Sequence, residues 1–414
     1  MLNQKPIKVL SPPIIVQPQS LALCAIYIIL PWSKCLWYLI SKAMWSNLPF
    51  DPLANIFSYL SPDSLARAKS ACKSWYACAN TSGSWATLPR RMNHPPWFIA
   101  LPTRNHGHFI YAHNPADDSW HLLPLDFIPN PVRPIASIGG LILLREATTT
   151  SLQLAICNPF TRQFRQLPKL NVTRTNPAVG IIELNSANFE VYVAGGMSEA
   201  SSIGGGSSYE PSLEVYNSVH DHWKTIRSMP MEFAVRLTVW TPNESVYCNG
   251  VLYWITSARA YTVMGFDIVN KNWRESSVPM ADRLEFAALV QRNGKLSLVG
   301  GTSEAGEACI WELTENNNWR MNERVPEELG ARLLGGKGRW GSINTRCVCI
   351  AGAMCLYRDL GSGMVVWREC AKKGEWEWHW IEGCGTIKGM KLQNFPIKGL
   401  LLHPYLASSS FLNE

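Results

Sequence analysis

Between Leu53 and Leu60 the apolar residues Leu53, Ile56, Phe57 and Leu60 fall at i, i+3, i+4 and i+7. That spacing puts one greasy stripe on a short helix beginning after Leu48-Pro49. Ser61-Pro62-Asp63 then offers an N-cap, a proline at the first helical position and an early acid, which predicts a second helix. Along it Leu65, Ala68 and Cys72 share a face, while Arg67 and Lys69 point elsewhere. Trp75 and Trp85 flank a weaker third turn interrupted by Gly83. From Trp97 onward the texture changes to short aromatic or β-branched runs separated by turn residues, the pattern of an all-β domain.

Those runs repeat. The fullest copy is Asn293-Gly294, a strand from Lys295 to Val299, Gly300-Gly301, a strand from Ala308 to Leu313, then Trp319 and Pro326. Copies carrying Gly195-Gly196 with Trp223, and Asn249-Gly250 with Trp273, follow the same plan. Looser copies surround Gly139-Gly140 with Phe164, and Ala351-Gly352 with Trp378, while the first keeps only its later half, up to Trp120. The aromatic anchors at 120, 164, 223, 273, 319 and 378 recur about every 50 residues, a propeller-blade period. Each unit makes sense as a four-stranded antiparallel blade. Asn-Gly suits a two-residue hairpin, paired glycines allow close backbone approach, and the aromatic fills the gap to the next sheet. The first unit lacks its opening strand and the chain ends on an apolar run, Gly399 to His403. That run is expected to pair beside Trp97–Leu101 and close the ring, leaving no sheet edge open.

The helical stretch resembles the F-box motif: Leu48-Pro49, then Leu53, Ile56 and Leu60, then Ser61-Pro62 and Leu65, and finally Cys72-Lys73-Ser74-Trp75. It departs from that motif at Asn55, where an acid is usual, and at Ala66, where a larger apolar residue is usual. The repeats resemble kelch repeats, and the whole chain resembles the plant-type F-box/kelch-repeat proteins. The resemblance implies an all-α head followed by a six-bladed β-propeller. It also implies a non-catalytic adaptor of an SCF-type ubiquitin ligase, located in nucleus or cytoplasm. The head would bind a Skp-type adaptor and through it a cullin, using Leu48, Pro49, Leu53, Ile56, Leu60, Leu65, Cys72 and Trp75 as contact or support. The propeller would hold an unidentified target protein. The alternative is a small-molecule enzyme or ligand-binding propeller with an incidental head.

Simple energetics favour a head that works with a partner. About 40 residues cannot bury enough surface to be stable alone. Five or six large side chains at ~1.5–3 kcal/mol each give ~10 kcal/mol gross, against ~4–15 kcal/mol for association. Composition adds little: a net charge of +7 with no Lys/Arg run above two calls for neither nucleic acid nor an anionic membrane. The 12 cysteines include no Cys-x-x-Cys and several sit in apolar strands, which fits a reducing compartment.

No catalytic, cofactor or metal set is expected. His106, His108 and His113 form the one histidine cluster worth testing for metal, and His220-Asp-His222 lacks a third ligand. Gly335 to Gly341 fails the P-loop spacing and reads as a flexible basic loop, and the glycine-rich insertion Met197 to Pro211 reads as a floppy loop. The domain reading is a poorly ordered apolar leader (1–44), a helical head (45–88), a stiff linker (89–96), the propeller (97–405) and a tail (406–414). Residues 21–40 are the one candidate membrane anchor, a poor one because Pro31 and Lys34 interrupt it.

Overall fold

The structure is a computed structural model describing residues 8–9, 49–58, 60, 62–80, 95–103, 109–185, 188–199, 206–241, 245–302, 307–335, 340, 345–370, 375–387, 390–391, 396–406 and 410–412. Three short helices, α1 (Phe50–Ser58), α2 (Pro62–Ala71) and α3 (Lys73–Asn80), form the head. Pro49 contributes the carbonyl that accepts Leu53 N at 3.3 Å and starts α1. Pro62 opens α2 as its fixed φ allows.

Six antiparallel sheets follow, making a six-bladed β-propeller. Blades II to VI begin at Val132, Ala178, Val246, Leu284 and Arg346 and each take four strands in chain order, with a separate two-stranded hairpin inserted between the second and third strands of blade III. Blade I takes strands Trp97–Pro102, Phe109–Asn114 and Ser119–Pro124 from its start and Ile397–Leu402 from the chain's end. The closing strand pairs antiparallel with the first, Trp97 opposite Leu402 and Leu101 opposite Lys398, as the unpaired apolar run predicts. Outside blade I, Lys8–Val9 lies parallel to Ser119–Pro124, the one part of the leader among the described residues. The 21–40 segment lies outside them. Among the described residues no helix is long and apolar enough to cross a membrane.

Most blade strands are apolar on both faces because each blade is packed on both sides. Six buried clusters fill six gaps between neighbouring blades; Ile99, Ile142 and Leu400 meet between blades I and II, for example. The predicted anchors lie on the outermost strands, and four tie their blade to the one before. Trp120 Nε1 donates to Glu382 O at 3.0 Å, and Trp223 Nε1 to Pro168 O at 2.8 Å. Trp319 Nε1 donates to Ser277 O and Trp378 Nε1 to Glu323 Oε1, each at 2.8 Å. Phe164 has no such donor, and Trp273 Nε1 is buried without a partner, its ring stacked 5.8 Å from Trp254.

The paired glycines serve two different ends. Gly195 and Gly196 adopt φ of +68° and +98°, which glycine alone tolerates freely. At Gly301 the backbone is ordinary, but a Cβ would lie 2.6 Å from Trp340 Cγ.

Three expectations need correction. The Gly335–Gly341 stretch is not simply a loose loop, because Trp340 is fully buried against Phe286, with ring centroids 5.1 Å apart. Gly335, at φ +61°, caps a helix that the strand pattern does not anticipate, α5 (Glu327–Leu334); a further one, α4 (Met231–Val239), also joins two blades. Met197–Glu199 pairs with Ser207–Tyr209 as a hairpin, so the ends of that glycine-rich insertion are structured by backbone pairing. The tail also docks: Arg165 Nη1 donates to Phe411 O at 2.9 Å, and Leu412 is buried between blades II and III.

Candidate functional site

The head has a core of its own. Leu53, Ala54, Phe57, Ala68, Cys78 and Ala79 are buried together, with Leu60, Leu65 and Trp75 half-buried around them. Phe57 meets Trp75 edge to face at 5.3 Å, and Cys78 Sγ donates to Phe50 O at 3.8 Å. Of the residues expected to serve the adaptor, Leu53 supports from inside, and Leu60, Leu65 and Trp75 sit at the margin. Pro49, Ile56 and Cys72 are exposed, and Leu48 lies outside the described residues.

Cys72 does not share the α2 face with Leu65 and Ala68. α2 ends at Ala71, and Cys72 instead caps α3, its sulfur accepting Trp75 N at 3.5 Å and its carbonyl accepting Tyr76 N at 2.9 Å. Sequence reasoning also missed two exposed aromatics. Phe50 is 41% and Tyr76 57% exposed, beside Ile56 at 38%. Three large apolar side chains thus face water on this small unit. An apolar residue between helix-start signals (Phe50) and one outside the stripe (Tyr76) were the clues available.

The propeller places this head at one end of its axis. Every inner strand runs from the crossing between blades toward a hairpin turn. The turns at Gly139-Gly140, Asn249-Gly250, Asn293-Gly294 and Ala351-Gly352 therefore gather at one end, here the near face. The chain enters at Trp97 and leaves after Leu402 at this same face. Lys69 Nζ donates to Leu406 O, linking α2 to the segment just past the closing strand. α4, α5 and the 197–209 hairpin gather on the far face. The channel between holds a cavity of about 430 Å³, lined from every blade by residues including Ser137, Ile181, Tyr247, Gln291, Cys349 and Leu400.

His113 is buried, its Nε2 3.0 Å from Asp118 Oδ1, and loss of hydration lowers it to about 4. His106 and His108 lie outside the described residues. His220 and His222 stand 5.8 Å apart, and among the described residues no three His, Cys, Asp or Glu come together as a metal site. Cys349 Sγ donates to Gln291 O, and burial pushes its thiol up to about 12, far from the reactive thiolate.

Comparison with known proteins bears on both halves. The F-box-like family profile matches residues 45–91, the head just described. The profile described as F-box associated beta propeller domain matches residues 108–328, more than half of the chain. The chain belongs to the F-box associated β-propeller family. The propeller match is thus to that family rather than to kelch, whose paired glycines at a strand's end only two blades keep. Similar proteins carry F-box names. Protein UNUSUAL FLORAL ORGANS of Arabidopsis thaliana is 23% identical over 71% of this chain and 71% of its own length. F-box/kelch-repeat protein At3g61590 of the same species is 23% identical over 85% and 88%. SKP1-interacting partner 15, also from Arabidopsis thaliana, is 31% identical over 30% of this chain and 38% of its own. An F-box-like head joined to an F-box associated propeller is thus the organisation of this chain.

Proposed function

We propose that this protein is the substrate-recognition subunit of an SCF-type ubiquitin ligase. The head binds a Skp-type adaptor and through it a cullin, and the propeller holds a target protein for ubiquitylation. The observation that carries this reading is the division of labour in the head. Leu53, Phe57 and Cys78 keep it folded, while Phe50, Ile56 and Tyr76 face water. The family match and the name of the SKP1-interacting relative support the same partner. In this reading the chain performs no chemistry and acts in nucleus or cytoplasm as a rigid link between ligase and target. The kelch likeness adds only that the propeller is the target-binding half.

The test is co-purification of the full-length chain with a Skp-type adaptor. Wild type should retain the adaptor, Ile56→Asp should lose most of it while melting like wild type, and Leu48→Ala/Pro49→Ala should weaken it. Equal recovery across all three would remove the reading.

A further inference from the structure

Because every inner strand runs in one sense along the channel, the opening residues of all six lie at its far-face mouth. Across three adjacent blades, VI, I and II, those positions carry Arg346, Lys398 and Arg133. The first two positions of the other three inner strands supply one charged residue, Glu285. The mouth is therefore basic on one side.

A fourth cation thickens the arc. Arg145 pairs directly across from Arg133 in blade II, an arrangement in which like charges repel. Burial first, and Arg133 second, hold the Arg145 guanidinium below its ordinary range, with no carboxylate offsetting them. Its Nε is buried without a hydrogen-bond partner. Lys398, flanking the arc's centre, is held down to about 8 by loss of hydration. Arg346 lies near enough to influence the Tyr357 hydroxyl, which accepts Gly399 N at 2.7 Å next to Lys398. Two acids beside the arc make contacts of their own. Asp359 accepts from Gly361 N, Ser362 N and Ser362 Oγ and pairs with Arg358 Nε at 3.3 Å. Glu146 accepts from Asn130 and Gln166.

We propose that this arc is an anion site, taking a carboxylate or phosphate carried on a side chain of the target at the channel's far mouth. The source of the anion rests on the substrate-receptor reading above; the chemistry of the site rests on these four side chains. Partly desolvated cations interact strongly with an anion, and guanidinium forks match the geometry of carboxylate and phosphate. An anion between Arg133 and Arg145 would also relieve their mutual repulsion. The far mouth is the end away from the head, so a target held there leaves the adaptor surface clear.

The test uses the full chain and three fluorescein-labelled peptides of one neutral sequence, with a central glutamate, phosphoserine or glutamine, followed by anisotropy. The glutamate or phosphoserine peptide should bind and the glutamine peptide should not, and added salt should weaken the binding. Which anionic peptide binds tighter separates a carboxylate from a phosphate source. Arg133→Gln/Arg346→Gln, and Arg145→Gln separately, should lower affinity at least about tenfold. Lys224→Gln, exposed on the outer strand of blade III, should change nothing. Arg145→Gln should melt no lower than wild type, which separates loss of binding from loss of folding. Equal binding of charged and neutral peptides, or variants that bind like wild type, would overturn the site. Adaptor co-purification of the same variants should stay at the wild-type level; its failure in the wild type would sink the receptor reading and leave the anion site standing.

Discussion

His113 shows how one buried side chain links stability to pH. It is lowered to about 4 in the fold against about 6.5 when exposed, so between those values the unfolded chain binds the extra proton. Stability is therefore complete above about pH 6.5 and falls as pH drops toward 4, by up to about 3 kcal/mol. Urea unfolding at pH 7.5 and 5 should show the loss in wild type and a smaller one in His113→Asn. Ala351 carries a different burden. It stands at φ +49° before Gly352, in the turn position that Asn249 and Asn293 fill in two other blades. A left-handed alanine costs ~1–2 kcal/mol, so Ala351→Asn should stabilise by about 0.5–1 kcal/mol, read as a rise in melting temperature. The asparagine turns were legible because φ > 0 has a residue signature. The strain at Ala351 was not, since alanine gives no sign of the conformation imposed on it.

Among the elements, the outermost strands carry the device that repeats around the ring. Trp223 is buried and its N–H satisfies the Pro168 carbonyl of the preceding blade, whereas the Trp273 N–H is buried with no acceptor. Losing a donor that leaves a partly buried carbonyl such as that of Pro168 unpaired costs ~1–2 kcal/mol. Trp223→Phe should therefore destabilise more than Trp273→Phe, by about 1–2 kcal/mol in chemical denaturation. Similar losses would mean that ring packing alone holds the blades together. The anchors were visible from their spacing, because an indole is too large to recur idly in a turn-rich domain. α4 and α5 had weaker marks: Pro230 before Met231, and Pro326, Glu327 and Glu328 ahead of Gly335. A strand-turn rhythm on either side masked these start and stop signals.

The whole molecule is a ring closed by its last strand. All six register pairs of that closure lie between 97–102 and 397–402, nearly the full length of the propeller apart. Truncation after Gly389 should therefore expose Trp97, Ile99 and Ile110 and abolish the cooperative melting of the propeller, as followed by circular dichroism. An unchanged melting curve would show that the ring survives open. Chain entry and exit both fall on the near face, so the head is held at one end of the axis and α4 and α5 lie at the other.

The amino-acid order alone determined the two-part plan, the first two head helices, the six blades and the closing strand. Each follows from local periodicity or from an apolar run that no local partner could cover. Folding alone decided that Cys72 caps a helix, that Trp340 fills a core and that Phe411 and Leu412 dock between blades. It also decided that Arg133, Arg145, Arg346 and Lys398 lie around one mouth. Those outcomes depend on which residues, distant along the chain, the ring brings to the same gap or the same end of the axis, and a linear pattern carries no record of that geometry.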